Sequence, residues 1–305
     1  MRVAVSAASG LIGSALVAGL ASDGAEVIRL VRRRPATQAE VRWDPLAPDG
    51  GIEPAALRGL DAVVHLSGAP IAPRRWTQAR KVVLRSSRIA STAALATAAA
   101  AADPPPAALL CASAIGYYGQ TGDRAVDENS PPGAGFLAEL AQDWEAAAEP
   151  ARAAGLRVVS FRSGVVLAAS GGALGPLLPL FRLGLGAKIG PGSQYLSWIS
   201  LDDEVRAIRF LLDDPGAVGP FNLTAPQPAT NAEFTVALAR AARRPAALAV
   251  PAVLLRAALG EVSGELLGSV RALPARLQSA GFTFSHPDVA TALAALLVGH
   301  KRKHA

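Results

Sequence analysis

One eight-residue segment constrains the fold of this chain more than any other: Ser6-Ala7-Ala8-Ser9-Gly10-Leu11-Ile12-Gly13. It follows a short apolar run at residues 3–5. Its last residues begin a stretch of apolar residues at helical spacing over residues 11–21, and a second apolar run occupies residues 27–31. A strand, a turn of small residues, a helix and a second strand within about 30 residues are typical of a βαβ unit.

The same alternation continues along the chain. Apolar runs at 61–66, 108–112 and 157–162 predict strands, and the segments between them predict helices at about 77–102 and 135–154. Strands that alternate with helices predict an α/β fold, a Rossmann-type doubly wound parallel sheet with both faces covered.

Glycine and proline become frequent after residue 164, which indicates a change of architecture. We expect a nucleotide-binding domain at 1–164, with strands also contributed from about 195–225, and a smaller C-terminal substrate lobe at 165–305 that ends in a helical module. The elements predicted there are a strand at 220–223 and helices at 203–212, 231–242, 251–259 and 287–298.

Composition excludes several classes of protein. The chain has 305 residues, of which 51% are hydrophobic and 18% charged, so it is not intrinsically disordered. The single Cys111 cannot form a disulfide within the chain and favours a reducing compartment. The first residues have no apolar signal core, and glycines and prolines interrupt the longest uncharged stretch, 163–181. We therefore expect a cytoplasmic protein without a membrane span.

The net charge of +6 does not indicate a nucleic-acid partner. The arginines are scattered, and the one dense basic run is the tail at 300–304, which is typical of a solvated chain end. No nucleic-acid-binding signature and no metal site are predicted.

The turn after the first strand is suited to a diphosphate. Main-chain N–H groups and the positive end of the helix converge there. Gly10 would let the backbone approach the phosphates, and Gly13 would let the helix pack closely on the strand. Ala7 stands where a glycine is usual, and Ala7 and Ala8 narrow the turn. The alternative is a plain strand–helix turn.

The end of the second strand predicts which dinucleotide binds. A site for NAD usually has a carboxylate there, whereas this chain has Arg32, Arg33 and Arg34. Guanidinium groups can pair with a 2′-phosphate and stack on adenine. We therefore predict NADP(H) as the cofactor. The alternative is a solvated basic loop.

Further motifs make the chain resemble extended short-chain dehydrogenases/reductases, and within them the NAD(P)-dependent epimerase/dehydratase-like group that carries sugar-nucleotide epimerase and cell-division-inhibitor-like names. The similarity extends over nearly the whole chain, and the first turn departs from the group's Gly-Gly. The motifs are Ser9-Gly10-Leu11-Ile12-Gly13, Arg42-Trp43-Asp44-Pro45, His65-Leu66-Ser67-Gly68-Ala69, Arg75-Trp76-Thr77, Ser87-Arg88, Ser113-Ala114-Ile115-Gly116-Tyr117-Tyr118-Gly119, Asp143-Trp144-Glu145, Arg162-Ser163-Gly164-Val165, Ser197-Trp198-Ile199, Pro220-Phe221-Asn222 and Arg271-Ala272-Leu273-Pro274.

The resemblance implies sites for a cofactor and for a small-molecule substrate. The expected cofactor contacts are Ser9, Gly10, Leu11, Ile12, Arg32, Arg33, Ser67, Gly68 and Ala69, with Ser163, Gly164 and Val165 near the nicotinamide. The expected substrate contacts in the C-terminal lobe are Arg182, Gln194, Trp198 and Asp202.

The superfamily's catalytic dyad is absent. That dyad is a tyrosine with a lysine four residues later, because a nearby ammonium is needed to stabilise phenolate near neutral pH. No tyrosine here has such a lysine, and no lysine occurs between Lys81 and Lys188. The remaining catalytic candidates are Ser113, Tyr117 and Tyr118. The alternative for Ser113 is strand-end capping, and the alternative for one of the tyrosines is packing under the cofactor.

Two functions stay open. One is an NADP(H)-dependent oxidoreductase or epimerase that acts on a small carbonyl or sugar-derived substrate. The other is a non-catalytic module that senses NADP(H) or binds a partner. The sequence leaves open whether the protein is a monomer or a homodimer, and how Ala7 and Ala8 affect cofactor affinity.

Overall fold

The computed structural model describes residues 1–47, 50–71 and 75–302. Seven strands form one parallel sheet. They are β1 (Arg2–Ser6), β2 (Glu26–Val31), β3 (Glu40–Arg42), β4 (Ala62–His65), β5 (Ala108–Ala114), β7 (Arg157–Ser163) and β12 (Gly219–Leu223). Their spatial order is β12-β7-β5-β4-β1-β2-β3, which confirms the predicted doubly wound sheet.

This strand order fixes where a ligand can bind. The chain runs outward from β1 in one direction through β2 and β3, and in the other through β4, β5, β7 and β12. The order reverses between β1 and β4, and in open α/β sheets ligands bind at the carboxyl ends of the strands at such a point. The segments that follow these strands therefore share one edge.

The other elements cover the sheet or build the second lobe. The helices are α1 (Leu11–Ser22), α2 (Gln78–Ser86), α3 (Ile89–Ala100), α4 (Phe136–Ala146), α5 (Glu149–Ala153), α6 (Leu174–Arg182), α7 (Leu201–Asp213), α8 (Asn231–Ala242), α9 (Ala252–Leu259), α10 (Ser263–Leu267), α11 (Ala275–Ser279) and α12 (Val289–Arg302). The short strands are β6 (Ala125–Val126), β8 (Val165–Leu167), β9 (Ala187–Ile189), β10 (Tyr195–Leu196), β11 (Trp198–Ser200), β13 (Ala229–Thr230), β14 (Leu248–Val250) and β15 (Arg271–Ala272).

Each face of the sheet has its own core. Leu16 of α1 and Ile208 of α7 pack in one cluster with Val3 of β1. Leu95 of α3 packs in the other cluster with Val63 of β4. Side chains of neighbouring strand residues point to opposite faces, so the apolar strands of a parallel sheet supply both cores.

The region after β7 forms a third core between short strand pairs and helices. β8 pairs with β11, β9 with β14 and β10 with β13. Trp198 and Phe234 lie in this core with Leu293 of α12. After this region the chain returns to the large sheet, where β12 lies at the edge beside β7.

The end of the chain returns to the first half. β15 pairs in parallel with β6. Leu277 and Phe282 lie in the same core as Val3. The C-terminal segment is therefore packed against the nucleotide-binding half as well as against the second lobe.

Two predicted helices are each interrupted, which corrects the sequence-based prediction. The helix expected at 77–102 divides at Ser87, whose hydroxyl donates to the Leu84 carbonyl and accepts from the Ala69 N–H and so competes with helical bonding. The helix expected at 135–154 divides before Pro150, which lacks the N–H that a helix interior needs and sits in the first turn of α5 instead.

None of the described helices has the length and apolar character needed to cross a membrane. The predicted basic tail lies partly outside the described residues, since α12 is described to Arg302.

Candidate functional site

The turn after β1 has a geometry that suits an anionic ligand. Ala7 adopts a left-handed conformation with φ of +50°, and its carbonyl accepts from the Gly10 N–H at 2.9 Å. Gly10 is the N-cap residue of α1, and no side chain caps the first turn. The first N–H groups of α1 therefore keep their hydrogen-bonding capacity for a ligand.

Gly13 is required by close packing in the same turn. A Cβ atom on Gly13 would lie 2.2 Å from the Ala7 carbonyl oxygen and 3.0 Å from the Cα of Ala8. Only glycine lets α1 approach the turn this closely. These observations fit a dinucleotide diphosphate, and the groups available to hold it are main-chain N–H groups near Leu11 and Ile12.

The arginines after β2 do not share one role. Arg33 donates to both carboxylate oxygens of Glu40, at 2.8 and 2.5 Å. The pKa of Glu40 is lowered, chiefly by the hydrogen bond from Arg33. Arg32 is exposed and has no salt bridge among the described side chains. Arg32, like the exposed Arg34, is thus free to meet a 2′-phosphate, while Arg33 is held by Glu40.

A chain of buried hydrogen bonds fixes the segment that follows β4. Ser6 Oγ accepts from the Leu66 N–H at 2.9 Å and from the Ser67 hydroxyl at 3.0 Å. Ser6 Oγ lies 3.0 Å from His65 Nδ1, and His65 Nε2 lies 3.2 Å from Ser91 Oγ. The Ser91 hydroxyl donates its proton to main-chain carbonyls, so its oxygen accepts from His65. The proton of the neutral imidazole therefore lies on Nε2.

His65 is a neutral structural residue in this arrangement. Burial lowers its pKa to about 3, so the ring carries no charge at neutral pH. Its role is to hold Ser67 and the following residues at the carboxyl edge of the sheet. The Ala69 N–H, bonded to Ser87 Oγ at 3.0 Å, anchors the other end of this segment.

Ser113, at the end of β5, is bonded to a carboxylate. Its hydroxyl donates to Glu145 Oε1 at 2.7 Å, and Glu145 also accepts two bonds from Arg162, at 2.7 and 2.8 Å. Burial acts to lower the pKa of Arg162, but the bonds and charge of Glu145 raise it above its usual value. Sequence reasoning missed Glu145 and Arg162, although a charged residue inside the apolar run of β7 was a signal.

The two tyrosines of this loop are placed differently. Tyr118 is 2% exposed, and its hydroxyl donates to Asn222 Oδ1 at 2.7 Å and accepts from Arg162 Nη1 at 3.0 Å. Burial raises the pKa of Tyr118 to about 12, against the opposing effect of the Arg162 charge. Tyr117 is half-buried, with the Arg162 guanidinium 3.4 Å from its ring centre. Tyr117 is therefore the tyrosine with an available hydroxyl, since no hydrogen bond to it occurs within the described part of the chain.

A second buried carboxyl group lies beside the end of β7. The Ser163 hydroxyl donates to Glu204 Oε1 at 2.5 Å. Glu204 is fully buried on α7, and its Oε2 has no hydrogen-bond partner among the described atoms. Burial raises the pKa of Glu204 to about 8, so the group is a neutral carboxylic acid at pH 7. It adjoins Gly164 and Val165, the predicted neighbours of the nicotinamide.

The predicted substrate residues are dispersed. Arg182 and Asp202 are exposed, at the end of α6 and in the first turn of α7. Gln194 is buried, with Nε2 bonded to the Ile189 carbonyl at 2.9 Å and Oε1 unpartnered among the described atoms. Trp198 corrects the prediction, because it is fully buried and its indole N–H is bonded to a main-chain carbonyl. It is a core residue of the second lobe with no surface for a substrate.

Asp202, Asp203 and His286 bring potential metal ligands close together. The Asp203 carboxylate, however, already accepts bonds from Arg206 and from the N–H groups of Ser285 and His286. This cluster connects α7 to the C-terminal segment.

Comparison with known proteins agrees with this geometry. The family model described as NAD dependent epimerase/dehydratase family matches residues 3–224. The chain belongs to this family. A second model, a domain of unknown function (DUF1731), matches residues 250–296.

Several relatives of this epimerase family match nearly the whole chain. An epimerase family protein of Mycobacterium bovis is 52% identical over 292 residues, which are 95% of this chain and 96% of that protein. A chloroplastic SDR39U1 homolog of Arabidopsis thaliana is 36% identical and covers 97% of this chain and 87% of its own.

Two solved structures are similar over nearly all of this chain. The human epimerase family protein SDR39U1 (isoform 2), solved with NADPH, has a TM-score of 0.89 and 34% identity, covering 98% of this chain and 99% of its own. A nucleoside-diphosphate sugar epimerase from Corynebacterium glutamicum has a TM-score of 0.81 and 35% identity, covering 97% of this chain and 58% of its own. The predicted fold and family are confirmed.

Proposed function

We propose that this protein is an NADP(H)-dependent oxidoreductase or epimerase that acts on a small carbonyl or sugar-derived substrate, with an active site that lacks the tyrosine–lysine dyad. The observation that carries the proposal is the first turn of α1, which no side chain caps and which Gly13 allows to pack closely against the turn after β1. Arg32 lies free at the end of the neighbouring strand β2. Its human relative was solved with NADPH, which supports the choice of cofactor.

The proposed binding residues lie on both sides of the point between β1 and β4 where the strand order reverses, so each side would bind one half of the dinucleotide. Main-chain N–H groups at Leu11 and Ile12 would bind the diphosphate, and Gly10, which has no side chain, would let it approach the backbone. Arg32 would bind the 2′-phosphate, because a guanidinium pairs with phosphate oxygens in a bidentate manner. Ser67 to Ala69 and Ser163 to Val165 would line the nicotinamide side.

When bound, the cofactor supplies or accepts a hydride. The protein must then orient the substrate oxygen and move one proton. Ser113 is suited to orient a substrate hydroxyl as an acceptor, because its own proton is donated to Glu145 and its oxygen is thereby held in one direction. Tyr117 Oη is the proposed proton donor, and Arg162 against its ring is a fixed positive charge beside the site.

Selectivity between the two reduced cofactors tests the binding part of the proposal. We expect calorimetry to give a dissociation constant for NADPH at least about tenfold below that for NADH. Arg32→Ala should remove most of that difference, since a charged hydrogen bond contributes about 1.5–3 kcal/mol. Arg33→Ala should reduce it less, because Arg33 is held by Glu40. Equal affinities of the unmodified protein for both cofactors would refute the role of Arg32.

Turnover tests the catalytic part. The loss of NADPH absorbance with a panel of carbonyl compounds should slow about 100-fold in Tyr117→Phe, the usual contribution of a general acid. Tyr118→Phe is the matched control and should lose stability rather than rate. An equal rate in Tyr117→Phe and the unmodified protein would exclude this tyrosine as the acid.

The buried hydroxyls of Ser113 and Tyr118 also favour a second candidate, a non-catalytic module that senses NADP(H). Both groups are committed to internal hydrogen bonds. Tight NADPH binding without turnover on any carbonyl compound would support this function.

A cytoplasmic location, a small-molecule substrate and a monomer or homodimer remain part of the proposal. Light scattering of the pure protein would distinguish the two oligomeric states.

A further inference from the structure

Arg80, in the first turn of α2, and Arg88, at the α2–α3 junction, differ from their basic neighbours. Lys81 and Arg85 of α2 pair with the carboxylates of Glu261 and Asp143. Arg88, the N-cap residue of α3, has no carboxylate within 4.0 Å among the side chains that the structure describes. The same is true of Arg80, and its Nε is buried without a hydrogen-bond partner in the described atoms.

The Arg88 side chain is buried beneath the segment that follows β4. It is 7% exposed. A Cβ atom on Gly68 would lie 3.1 Å from its Cζ and 3.2 Å from its Nη2, so the guanidinium lies directly against this glycine. Among the described residues, its guanidinium makes one hydrogen bond, from Nη1 to the Leu84 carbonyl at 3.3 Å, and lies 5.0 Å from the centre of the Trp144 ring. Most of its five N–H donors remain available.

No carboxylate of the described side chains serves as a counter-ion for Arg88. Burial, and then the nearby charge of Arg80, lower the pKa of Arg88 to about 10, so the group still carries its charge at neutral pH. An uncompensated buried charge costs several kcal/mol of stability. Such a cost is typical of a group that is retained for a ligand.

The location indicates which ligand. Gly68 follows the carboxyl end of β4, whereas Arg32 follows β2 on the other side of β1. The nicotinamide half of a dinucleotide would lie on the β4 side. Trp144 belongs to α4, and the family resemblance implies that the missing tyrosine and lysine would stand on this same helix, ahead of Trp144, where the chain has residues 136–141 without either. Two buried arginines of the described residues lie in this neighbourhood, and they differ: Arg162 is paired with Glu145, whereas Arg88 has no carboxylate partner.

We propose that Arg88 is the fixed cation of this active site: its guanidinium binds an oxyanion beside Gly68 and supplies the positive charge that the missing lysine would supply. The oxyanion is a phosphate or carboxylate oxygen, carried either by the nicotinamide half of the cofactor or by the substrate. This inference rests on the proposed NADP(H) site. Because a guanidinium does not release its proton near neutral pH, Arg88 acts through charge alone and relays no proton.

Arg88→Met tests the proposal, since methionine fills similar space without charge. We expect the ligand-free variant to be at least as stable in urea as the unmodified protein, because an unpaired buried charge is removed. Calorimetry should show NADPH binding weakened at least about tenfold, with adenosine 2′,5′-bisphosphate, which lacks the nicotinamide half, bound as before. Arg88→Lys should recover part of the NADPH affinity.

A second arm distinguishes the sources of the oxyanion. If NADPH binding is unchanged in Arg88→Met, the NADPH-saturated proteins are heated with inorganic phosphate or acetate. Stabilisation of the unmodified protein but not of the variant assigns the oxyanion to the substrate.

One outcome of these measurements would contradict the proposed role of Arg88. An Arg88→Met protein that is folded but less stable than the unmodified protein, with unchanged responses to NADPH and to both anions, would overturn the inference and make Arg88 a packing residue. Arg85→Met is the matched control, since Arg85 is paired with Asp143, and its ligand binding should not change. If the unmodified protein does not bind NADPH, the proposed function itself fails, whereas normal binding by both proteins with no anion effect rejects only the role of Arg88.

Discussion

Two residues of the site are energetically unfavourable by themselves, one in its backbone conformation and the other in the burial of its side chain. Ala7 has a left-handed backbone, which an L-residue with a Cβ atom adopts at a cost of about 1–2 kcal/mol. Glu204 is a carboxyl group fully buried with one oxygen unpartnered among the described atoms. Both lie at the carboxyl edge of the sheet, where local cost is tolerated because the surrounding packing fixes the conformation.

Ala7→Gly should stabilise the protein by about 0.5–1 kcal/mol. The left-handed conformation becomes free of strain, and the greater freedom of glycine in the unfolded chain offsets part of the gain. Ala8→Gly is the control, because Ala8 has no positive φ, and it should be destabilising. Urea unfolding measures both, and a loss of stability in Ala7→Gly equal to that in Ala8→Gly would contradict the strain.

The carboxyl group of Glu204 should make stability depend on pH. Its pKa is about 8 in the folded protein against a usual value of 4.5, so the folded state holds a proton that the unfolded state has released. Stability therefore falls as pH rises from about 4.5 to 8, by up to about 1.4 kcal/mol per pH unit, and levels off above that range.

Glu204→Gln removes this dependence and should gain stability relative to the unmodified protein as pH rises. Urea midpoints of the two proteins at pH 5 to 9 measure the difference, in which the titration of other groups cancels. Parallel curves would show that Glu204 is ionised in the folded state.

At the scale of elements, the β1–α1 connection depends on the contact between Gly13 and the turn. Gly13→Ala should cost about 3 kcal/mol, because its Cβ would lie 2.2 Å from a backbone oxygen that cannot move aside. Gly10→Ala meets the same oxygen at 3.2 Å and should cost much less. Thermal and urea unfolding of the pair check this, and similar losses in both would mean that the turn adjusts.

The sequence predicted six of the seven described strands of the large sheet, because each of these contains an apolar run. It did not predict β3, whose three residues include two charged ones and form no apolar run. It did not predict that the first long helix divides at Ser87, since the competing hydrogen bond comes from Ala69, far away in sequence. The candidate site was predicted where a turn motif marks it. Glu145, Glu204 and Arg88 were missed as site residues because their roles depend on burial and on distant partners.

At the scale of the whole molecule, the C-terminal segment is part of the main core. Leu277 and Leu211 are both fully buried in the cluster that contains Val3. Leu277→Ala and Leu211→Ala should each cost about 2–5 kcal/mol and should each leave a single unfolding transition. Two separate transitions in Leu277→Ala, recorded by calorimetry, would show instead that the C-terminal module folds on its own.

The return of Leu277 and Phe282 to the core beneath the first strand has a consequence for biosynthesis. On the ribosome, the first βαβ unit emerges more than 200 residues before the side chains that complete its core. The nascent chain therefore keeps part of this apolar surface uncovered until translation is nearly finished, and chaperones that bind such surfaces have a long interval in which to act.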